Sequence, residues 1–580
     1  MTARVRAPEL RGRGWLNTGG AAYSIADLRG RFVLLDFWTF CCVNCLHAIE
    51  ELRPVEEKYA DELVVVGVHS PKFVHEADPE ALRAAVERYA VDHPVLDDPE
   101  LITWQAYTAR AWPTLVLVDP EGYVVAQYAG EGHAHAIDRL LAELVEVHRA
   151  GGTLQPGDSP YIPPAVEPTT LRFPADAVPL EGDRVLVADA GHDRVVELDT
   201  DGAELRSWGG FKEPNGLCVV EGTAYVADTV HHQLKGIDLA SGDVTVLAGS
   251  GEQWMQGDST DRLSSPWAVA WWRERVWIAM AGIHQLWTYD PATGSVEVAA
   301  GTTNEGLVDG PLEEAWFAQT SGLAAVGDRL WLADSETSSL RYVEDGQVHT
   351  AVGQGLFDFG FRDGPGDQAL LQHPLGVTVL PDGSVAVCDT YNGAVRRYDP
   401  VADEVTTVAN GLAEPSAAYV DGEQLVVVES NAHRLTRVPL GAAATRTAGF
   451  SHTTQRPVTD VAAGLELVVA FTPPPGQKVD DRFGPPSQLV VEATPPALLR
   501  KGEGRGTELS RTLVLDPEVG EGVLHVAARA ASCDIDGENA ACHIHQQDWG
   551  LPIRVVAGAE PVLTLPLGAV SVASESPDIR

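Results

Sequence analysis

Positive charge and cysteine are both scarce in this chain of 580 residues. Lys and Arg together number 41 against 83 Asp and Glu, which gives a formal net charge of -42. Because nucleic acids and anionic membranes are bound through clustered Lys and Arg, this balance argues against both as partners. The cysteines are few and odd in number, seven in all, as is typical of a reducing compartment. There, a Cys-x-x-Cys pair is more often catalytic or metal-binding than structural.

Long apolar runs are also missing. The first twenty residues, MTARVRAPELRGRGWLNTGG, include basic residues but no apolar core of a signal peptide. No window reaches the roughly 18 consecutive apolar residues that a transmembrane helix needs, so we expect a cytoplasmic protein without a membrane partner. With 44% hydrophobic residues the chain can fill several cores, and its length predicts about three or four domains.

Residues 1–150 alternate between strand and helix patterns. RFVLLDFW and ELVVVGVHS are continuous apolar runs, typical of strands buried on both faces, and VNCLHAIEELRPVEEKYA between them predicts a helix. In ADPEALRAAVERYA, Asp78 can cap a second helix and Pro79 takes its first position. TLVLVDPEGYVVAQY predicts a hairpin, followed by a helix from about His133 to His148. Together these elements predict an α/β domain with a mixed sheet.

A repeat follows a Gly- and Pro-rich segment, residues 151–172, which predicts a linker. From 173 to 445 each copy has a turn, an apolar strand and then a short motif: VADA, VADT, IAMA, LADS, VCDT or VVES. The third residues of these motifs stand at positions 189, 228, 280, 334, 389 and 429. This spacing is close to that of a four-stranded propeller blade, and six copies predict a six-bladed β-propeller.

Histidines recur in this repeat three or four positions after the third motif residue. We predict that they satisfy backbone groups of a turn, with a metal in the propeller channel as the alternative. Cys218 and Cys388 lie in apolar strand patterns and are predicted to be core residues. The histidines are His192, His231, His232, His284 and His433.

Residues 446–580 contain short β-like runs separated by Pro and Gly, such as LELVVAF and SQLVVEA, which predict a small β-sandwich. ARAASCDIDGENAACHIHQQDWGLPIRVV predicts two strands joined by a turn, with Cys533 and Cys542 at its two ends. These two cysteines could form a second redox pair, which we prefer, or remain unpaired thiols. A third possibility is a metal site that includes His543 and His545, although strand alternation places both on the face opposite to Cys542.

The segment WTFCCVNC, residues 38–45, holds three of the seven cysteines. Thiol-disulfide exchange needs an attacking thiolate, a second thiol within reach and a base. A Cys-x-x-Cys pair at the start of a helix supplies the first two, because the helix dipole favours the thiolate. Cys42 is therefore the predicted nucleophile and Cys45, one helical turn later, the predicted resolving thiol.

This order of modules, with its doubled cysteine, resembles the NHL-repeat-containing thioredoxin-family proteins. The resemblance covers roughly the first three quarters of the chain and implies a thioredoxin-like domain followed by NHL-repeat blades. LLDFWTFCCVNC is similar to the active-site segment of thioredoxins. The similarity implies that Asp36 takes the proton of the resolving thiol and that Trp38 packs beside the site. Pro113, in AWPTLVLVD, resembles the cis-proline that faces the disulfide.

Two departures from thioredoxins leave the direction of exchange open. Val43 and Asn44 replace the usual Gly-Pro between the cysteines, and this dipeptide strongly affects the reduction potential. Cys41 stands where an aromatic residue is usual. We interpret it as a neighbouring thiol without a role, with the formation of mixed disulfides as the alternative. Zinc, bound by the three cysteines and His47, is the rival interpretation, but structural zinc sites usually collect two separated pairs.

The favoured function is a thiol-disulfide oxidoreductase that acts on protein disulfides or thiols, with the propeller as a partner platform. The alternative is a redox-inactive scaffold for protein interactions. No Rossmann fingerprint is evident in the sequence. We therefore predict no bound cofactor and no metal, and we expect an external electron donor.

Overall fold

The computed structural model describes residues 5–571 except 166, 256–258, 357, 441–448, 454–457, 474–476, 480–484, 535–541 and 568–569. The chain forms two compact units. Met1–Val166 and Gln455–Arg580 make up the first unit, and Glu167–Thr454 makes up the second. The chain therefore leaves its first unit for the repeat region and returns to it. In the described part of the chain, no helix is long and apolar enough to cross a membrane.

A mixed sheet forms the centre of the thioredoxin-like part of the first unit. From one edge to the other, its strands are β1 (Val5–Arg6), β7 (Tyr123–Ala129), β6 (Thr114–Val118), β3 (Phe32–Trp38), β4 (Leu63–His69), β5 (Val95–Asp97) and β2 (Gly14–Leu16), numbered in chain order. The central strand β3 runs parallel to β4 and antiparallel to β6, and every residue of β3 and β4 is buried, as the two continuous apolar runs predict.

The helices of this part are α1 (Val43–Lys58), α2 (Pro79–Arg88), α3 (Ile102–Ala106) and α4 (Ala134–Gly151), with a 3-10 helix at His75–Ala77. The predicted cap of α2 is confirmed, since the Asp78 side chain accepts hydrogen bonds from two backbone N–H groups of the first turn. Leu52 of α1 and Leu141 of α4 share one core with Leu34 of β3. This packing fixes α1, and with it the two cysteines, against the sheet.

The first part of the predicted linker is held against the thioredoxin-like part. Residues 152–165 contain no helix or strand, but they are tied to the thioredoxin-like part by main-chain hydrogen bonds. The N–H groups of Gln155 and Ile162 donate to the carbonyls of Gly30 and Asn17, at 2.6 and 2.8 Å. A segment without periodicity can still be fixed in this way, because backbone groups that leave water need partners.

The remainder of the first unit is β-rich, in two sheets that share one apolar core. One sheet includes Thr459–Val461, Gln477–Val479, Ser487–Thr494, Gly504–Gly506, Glu521–Asp534 and Cys542–Val555. The other contains Gly464–Phe471, Leu499–Lys501, Ser510–Leu515 and Val562–Leu567, and a 3-10 helix spans Pro496–Leu498. Ala111, which precedes β6, belongs to this core, and Val570–Ser571 adds a strand to the thioredoxin-like sheet beside β7. These two contacts join the beginning and the end of the chain in one unit.

The described part of the second unit contains six consecutive antiparallel sheets, as in a propeller-type fold. Their first strands contact one another in a closed order, because Pro415–Asp421 of the last sheet contacts Asp176–Leu180 of the first. The strands of the first three sheets are Asp176–Leu180, Arg184–Asp189, Arg194–Asp199 and Glu204–Trp208; Pro214–Val220, Thr223–Asp228, Gln233–Asp238 and Val244–Ala248; and Pro266–Trp272, Arg275–Met280, Gln285–Tyr289 and Val296–Ala300.

The fourth and fifth sheets each carry an additional short strand from a preceding connection, and a two-stranded sheet pairs Asp358–Gly360 with Ser451–Thr453. 3-10 helices follow the second strand at Ala190–His192, Ala281–Ile283, Thr390–Asn392 and Ser430–Ala432. The strands of the fourth sheet are Gly310–Pro311, Thr320–Val326, Arg329–Asp334, Ser339–Glu344 and Gln347–Val352. Those of the fifth are Gly364–Pro365, Gly376–Val379, Val385–Asp389, Ala394–Asp399 and Glu404–Asn410, and those of the sixth are Pro415–Asp421, Gln424–Glu429 and Arg434–Pro439.

The repeated motif has a structural role in this unit. Its third residue ends the second strand of each sheet, and wherever it is acidic the buried carboxylate accepts a hydrogen bond from a backbone N–H in the preceding connection. The distances are 2.6 to 2.8 Å at Asp189, Asp228, Asp334, Asp389 and Glu429. A buried carboxylate with such a partner explains why an acid recurs in an apolar strand.

The recurring histidines make hydrogen bonds in the turns, as the first of the two interpretations predicts. Nδ1 of His232, His284 and His433 accepts a hydrogen bond from a backbone N–H, at 3.0 to 3.1 Å. His192 and His231 instead direct Nδ1 to the acidic residue three positions earlier, at 2.8 Å. Both arrangements tie the turn to the sheet that carries it or to its neighbour.

Candidate redox site

The predicted cysteine pair lies at the start of α1, directly after the buried strand β3. Cys42 is the N-cap residue of α1, and its carbonyl accepts the hydrogen bond of the Cys45 N–H at 3.0 Å. Both side chains are buried and carry free thiols. The first turn of the helix therefore holds the two sulfurs close together, as the Cys-x-x-Cys spacing predicts.

A buried acid, Glu76, holds the loop between β3 and α1. One of its carboxylate oxygens accepts hydrogen bonds from the Thr39 hydroxyl at 2.6 Å and the Cys41 N–H at 2.9 Å. The other accepts from the N–H groups of Lys72 and Phe73. The sequence analysis missed Glu76, because an isolated Glu in a polar stretch has no pattern that distinguishes it from a surface residue.

Pro113 lies beside the cysteine pair. The Trp112–Pro113 peptide bond is cis, and the Cys42 sulfur is 4.0 Å from the Trp112 carbonyl oxygen. The Trp112 indole N–H donates to the Ser70 carbonyl at 2.8 Å, which fixes this loop against the end of β4. The fold thus brings together two segments that are some 70 residues apart in the chain.

Cys45 is the more deeply buried of the two thiols. Burial raises the pKa of the Cys45 thiol well above its usual value, and the neighbouring Cys42 and the Asp36 carboxylate add to the shift. At neutral pH Cys45 is therefore protonated. It needs a base before it can act as a nucleophile.

Asp36 is the nearby acid, in the middle of β3 and wholly buried. Neither carboxylate oxygen has a hydrogen-bond partner among the described residues. Burial raises the pKa of Asp36 to about 7, against a smaller opposing effect of His93. A carboxyl group with this pKa exchanges protons readily at neutral pH, as a general base must.

Trp38 ends β3, four residues before Cys42, and its indole ring meets the His69 ring edge to face at 5.3 Å. The indole N–H of Trp38 has no hydrogen-bond partner among the described residues. Burial lowers the pKa of His69 to about 3, so this ring is neutral. The surroundings of the cysteine pair are therefore largely apolar, with Asp36 as a buried acid.

His47, the fourth donor of the zinc alternative, lies on α1 and bonds through Nδ1 to Glu131. Burial disfavours the charged form of this imidazole, but Glu131 outweighs it and the pKa of His47 is raised. Glu51, one turn further along α1, has its pKa raised to about 7 by burial and by Glu131. His47 thus takes part in an acid-histidine cluster beside the site.

The second cysteine pair lies on the long hairpin of the β-rich part. Cys533 is disulfide-bonded, and the backbone of Cys542 stands directly opposite on the partner strand. The side chains of Cys542 and His543, and the turn between the strands, lie outside the described residues. The His545 ring has a hydrogen-bond partner in the Ser532 hydroxyl, at 2.8 Å.

A cavity of about 170 Å³ lies within the first unit, between its thioredoxin-like and β-rich parts. Trp104 and Trp112, stacked with ring centroids 4.1 Å apart, line one side. Leu551 and Pro552 of the long hairpin line the other. Trp112 is also the residue whose carbonyl lies beside Cys42, so the cavity is adjacent to the cysteine pair.

Family models match two segments of the chain. A thioredoxin-like model matches residues 30–124, which include the cysteine pair and Pro113. A model of the NHL repeat matches residues 371–398, within the fifth sheet of the second unit. The fold, the site and these two matches define a protein of the thioredoxin-like class with an NHL-repeat region.

The relatives identify the family more closely. Protein SUPPRESSOR OF QUENCHING 1, chloroplastic, from Arabidopsis thaliana is 36% identical over 71% of this chain and 43% of its own length. The human NHL repeat-containing protein 2 is 32% identical over 73% of this chain and 68% of its own. Thiol-disulfide oxidoreductase YkuV from Bacillus subtilis is 26% identical over 25% of this chain and 99% of its own.

The chain therefore belongs to the NHL-repeat-containing thioredoxin-like proteins, which confirms the resemblance found in the sequence. It spans less than half of the Arabidopsis relative and 65% of the chicken NHL repeat-containing protein 2. The functions of those longer proteins therefore do not by themselves give the function of this chain. The thioredoxin-like part is matched along nearly the full length of a bacterial relative.

Proposed function

We propose that the chain is a thiol-disulfide oxidoreductase that reduces or exchanges disulfides of protein substrates through Cys42 and Cys45. The observation that carries this proposal is the position of Cys42 at the start of α1, 4.0 Å from the carbonyl that precedes Pro113. Behind it, the protonated Cys45 shares a buried environment with an acid whose pKa is about 7. A nucleophile, a resolving thiol and a base are therefore combined at one site.

The reduction proceeds in two exchanges. The Cys42 thiolate attacks one sulfur of the substrate disulfide, the substrate S–S bond breaks, and the first substrate thiolate leaves and takes a proton from solvent. Cys45 then gives its proton to Asp36 and attacks the Cys42 sulfur. The bond between this sulfur and the substrate breaks, and the second substrate thiolate leaves and takes a proton from solvent. The products are two substrate thiols and a Cys42–Cys45 disulfide, which an external dithiol donor reduces again.

We assign the six sheets of the second unit to the blades of a six-bladed propeller and the two sheets at the end of the chain to a β-sandwich. The propeller serves as a platform for a protein partner, since its loops vary over a rigid scaffold. The cavity beside Trp112 receives part of the substrate, which gives the sandwich a share in substrate recognition. Cys533 and Cys542 form a second disulfide, and the protein acts in the cytoplasm.

The alternative function is a redox-inactive scaffold. The observation that favours it is the size of the second unit, which makes up about half of the chain. Such a scaffold would bind partners equally well with or without the Cys42 sulfur. A single comparison of variants separates the two functions.

The test is dithiothreitol-driven reduction of a protein disulfide, followed for the wild-type protein, Cys42→Ser and the control Cys388→Ser. Cys388 is a buried free thiol in the second unit. We expect Cys42→Ser to fall to the uncatalysed rate and Cys388→Ser to keep the wild-type rate. Equal turnover in wild type and Cys42→Ser would overturn the proposed function in favour of the scaffold.

A further inference from the structure

Three buried polar groups without hydrogen-bond partners among the described residues are the Asp36 carboxylate, the Trp38 indole N–H and Nε2 of His93. Two of them border Gly67 of β4. A Cβ atom at this glycine would lie 2.9 Å from the Trp38 nitrogen and 3.0 Å from His93 Nε2. Asp36 is the residue directly opposite Gly67 on the adjacent strand. The Trp38 nitrogen and His93 Nε2 therefore lie close to Gly67, next to the strand position of Asp36.

The other nitrogen of His93 leads toward the surface. His93 Nδ1 and the Glu56 carboxylate are 3.0 Å apart. The His93 side chain is 4% exposed, whereas the Glu56 side chain on α1 is 23% exposed. The backbone of His93 is held in place, because the Asn17 side chain donates to its carbonyl. His93, which lies close enough to Asp36 to influence its pKa, is thus linked through Glu56 to the surface.

We propose that His93 and Glu56 form a relay that carries the Cys45 proton from Asp36 to solvent. This inference rests on the proposed function. His93 accepts a proton at Nε2 and releases the one at Nδ1 to Glu56, from which it exchanges with water. His93 and Glu56 act through Asp36 and contact neither substrate nor sulfur, so they are positioning residues.

The charges around the relay favour this transfer. His93 faces Glu56 and Arg53 on α1 and Asp36 on β3, while Asp36 faces His93, Glu56 and Cys45. Burial disfavours the charged form of His93, but Glu56 outweighs burial, and the pKa of His93 is raised. The pKa of Asp36 is raised to about 7. The Glu56 carboxylate thus stabilises the protonated imidazole that the transfer forms.

The test compares Glu56→Gln with Glu57→Gln. Both substitutions remove one acid from the same helix, but Glu57 is exposed and Glu56 bonds to His93. Rapid-quench measurements on a protein disulfide follow the release of the first and second substrate thiols between pH 6 and 9. In Glu56→Gln we expect the second release to slow roughly tenfold at neutral pH and its pH profile to change. The first release should be unaffected, and Glu57→Gln should match wild type in both.

A second pair of variants tests the surroundings of Gly67, where Trp38 and His93 lie close together. Gly67→Ala places a methyl group against Trp38 and His93, whereas Gly14→Ala adds one on strand β2 with no atom within 4 Å. We expect only Gly67→Ala to slow the second release. If Gly67→Ala does not fold, the two Glu variants decide alone.

Equal second-release rates and pH profiles in Glu56→Gln and Glu57→Gln would overturn the relay and leave the proposed function intact. A wild-type protein that releases no second thiol would instead overturn the proposed function, and the relay with it. The two failures are therefore distinguishable in one series of measurements.

Discussion

The sulfur of Cys42 lies 4.0 Å from the main-chain oxygen of Trp112, the residue before Pro113. The first residue caps a helix that follows the central strand, and the second ends a loop that leads into the neighbouring antiparallel strand. In the proposed reaction, a substrate chain that meets the Pro113 loop is thereby brought against the attacking sulfur. Holding reactants in this way is a large part of the catalytic effect of any enzyme.

Cys45→Ser should trap the first intermediate. The serine hydroxyl cannot displace the substrate from the Cys42 sulfur, so the mixed disulfide accumulates. Mass spectrometry of the intact protein after mixing with a protein disulfide should show one substrate bound per chain, released by dithiothreitol. A Cys42→Ser/Cys45→Ser double variant should capture none. Capture by the double variant at the same level would place the reactive thiol elsewhere.

Asp36→Asn should change the pH dependence of stability. The pKa of Asp36 is about 7 in the folded protein and near 4 in the unfolded chain. The folded state therefore holds this proton more tightly, and wild-type stability falls as pH rises from about 4 to about 7. The asparagine variant lacks this loss. As the pH rises from 4.5 to 8, the unfolding free energy of the variant in urea, relative to that of wild type, should increase by roughly 2–4 kcal/mol.

A difference between Asp36→Asn and wild type that does not vary with pH would show that Asp36 titrates normally. Glu57→Gln is the control, because it removes an exposed acid. In turnover, Asp36→Asn should slow release of the second substrate thiol and leave release of the first unchanged, since only Cys45 passes its proton to this carboxylate.

The proposed disulfide between Cys533 and Cys542 should stabilise the β-rich part of the first unit. A closed loop of about ten residues corresponds to roughly 2–3 kcal/mol. In a Cys42→Ser background, which removes the other pair, dithiothreitol should lower the free energy of unfolding by this amount and so lower the unfolding midpoint. Adding Cys533→Ser to this background should lower the midpoint in the absence of dithiothreitol. Dithiothreitol should then cause no further change in the midpoint. A midpoint that dithiothreitol does not change in the Cys42→Ser protein would argue against the disulfide.

The cavity beside Trp112 should distinguish protein substrates from small disulfides. Gln105→Trp adds bulk at an exposed position that lines the cavity, whereas Ile102→Trp adds it on the same helix outside the cavity. We expect Gln105→Trp to raise KM for a protein disulfide roughly fivefold, about 1 kcal/mol, with little effect on a small disulfide. Identical KM values for both variants would exclude the cavity from substrate binding.

The elements of the thioredoxin-like part could be predicted from the sequence because their signals are local. A continuous apolar run marks β3, and Asp78 with Pro79 marks the start of α2. The cysteine spacing likewise placed Cys42 and Cys45 on one helical turn. The short helix α3 was missed, since five residues are too few to show a helical period.

Other features of the site depend on contacts between distant segments. Glu76 binds a loop some 35 residues away in the chain, and His93 meets Glu56 across 37 residues. The return of the end of the chain to the sheet beside β7 depends on a strand of only two residues. No local pattern of residue types marks such contacts, because each is formed only when the whole unit has folded.

The most direct measurement is a redox titration of the purified protein in buffers of defined thiol-disulfide ratio, with thiols counted by mass spectrometry of labelled peptides. We predict that the peptide with Cys42 and Cys45 loses and regains two thiols reversibly at a single potential. Cys218 and Cys388 should stay reduced throughout. A Cys42–Cys45 peptide that keeps both thiols under every oxidising condition would contradict a thiol-disulfide oxidoreductase.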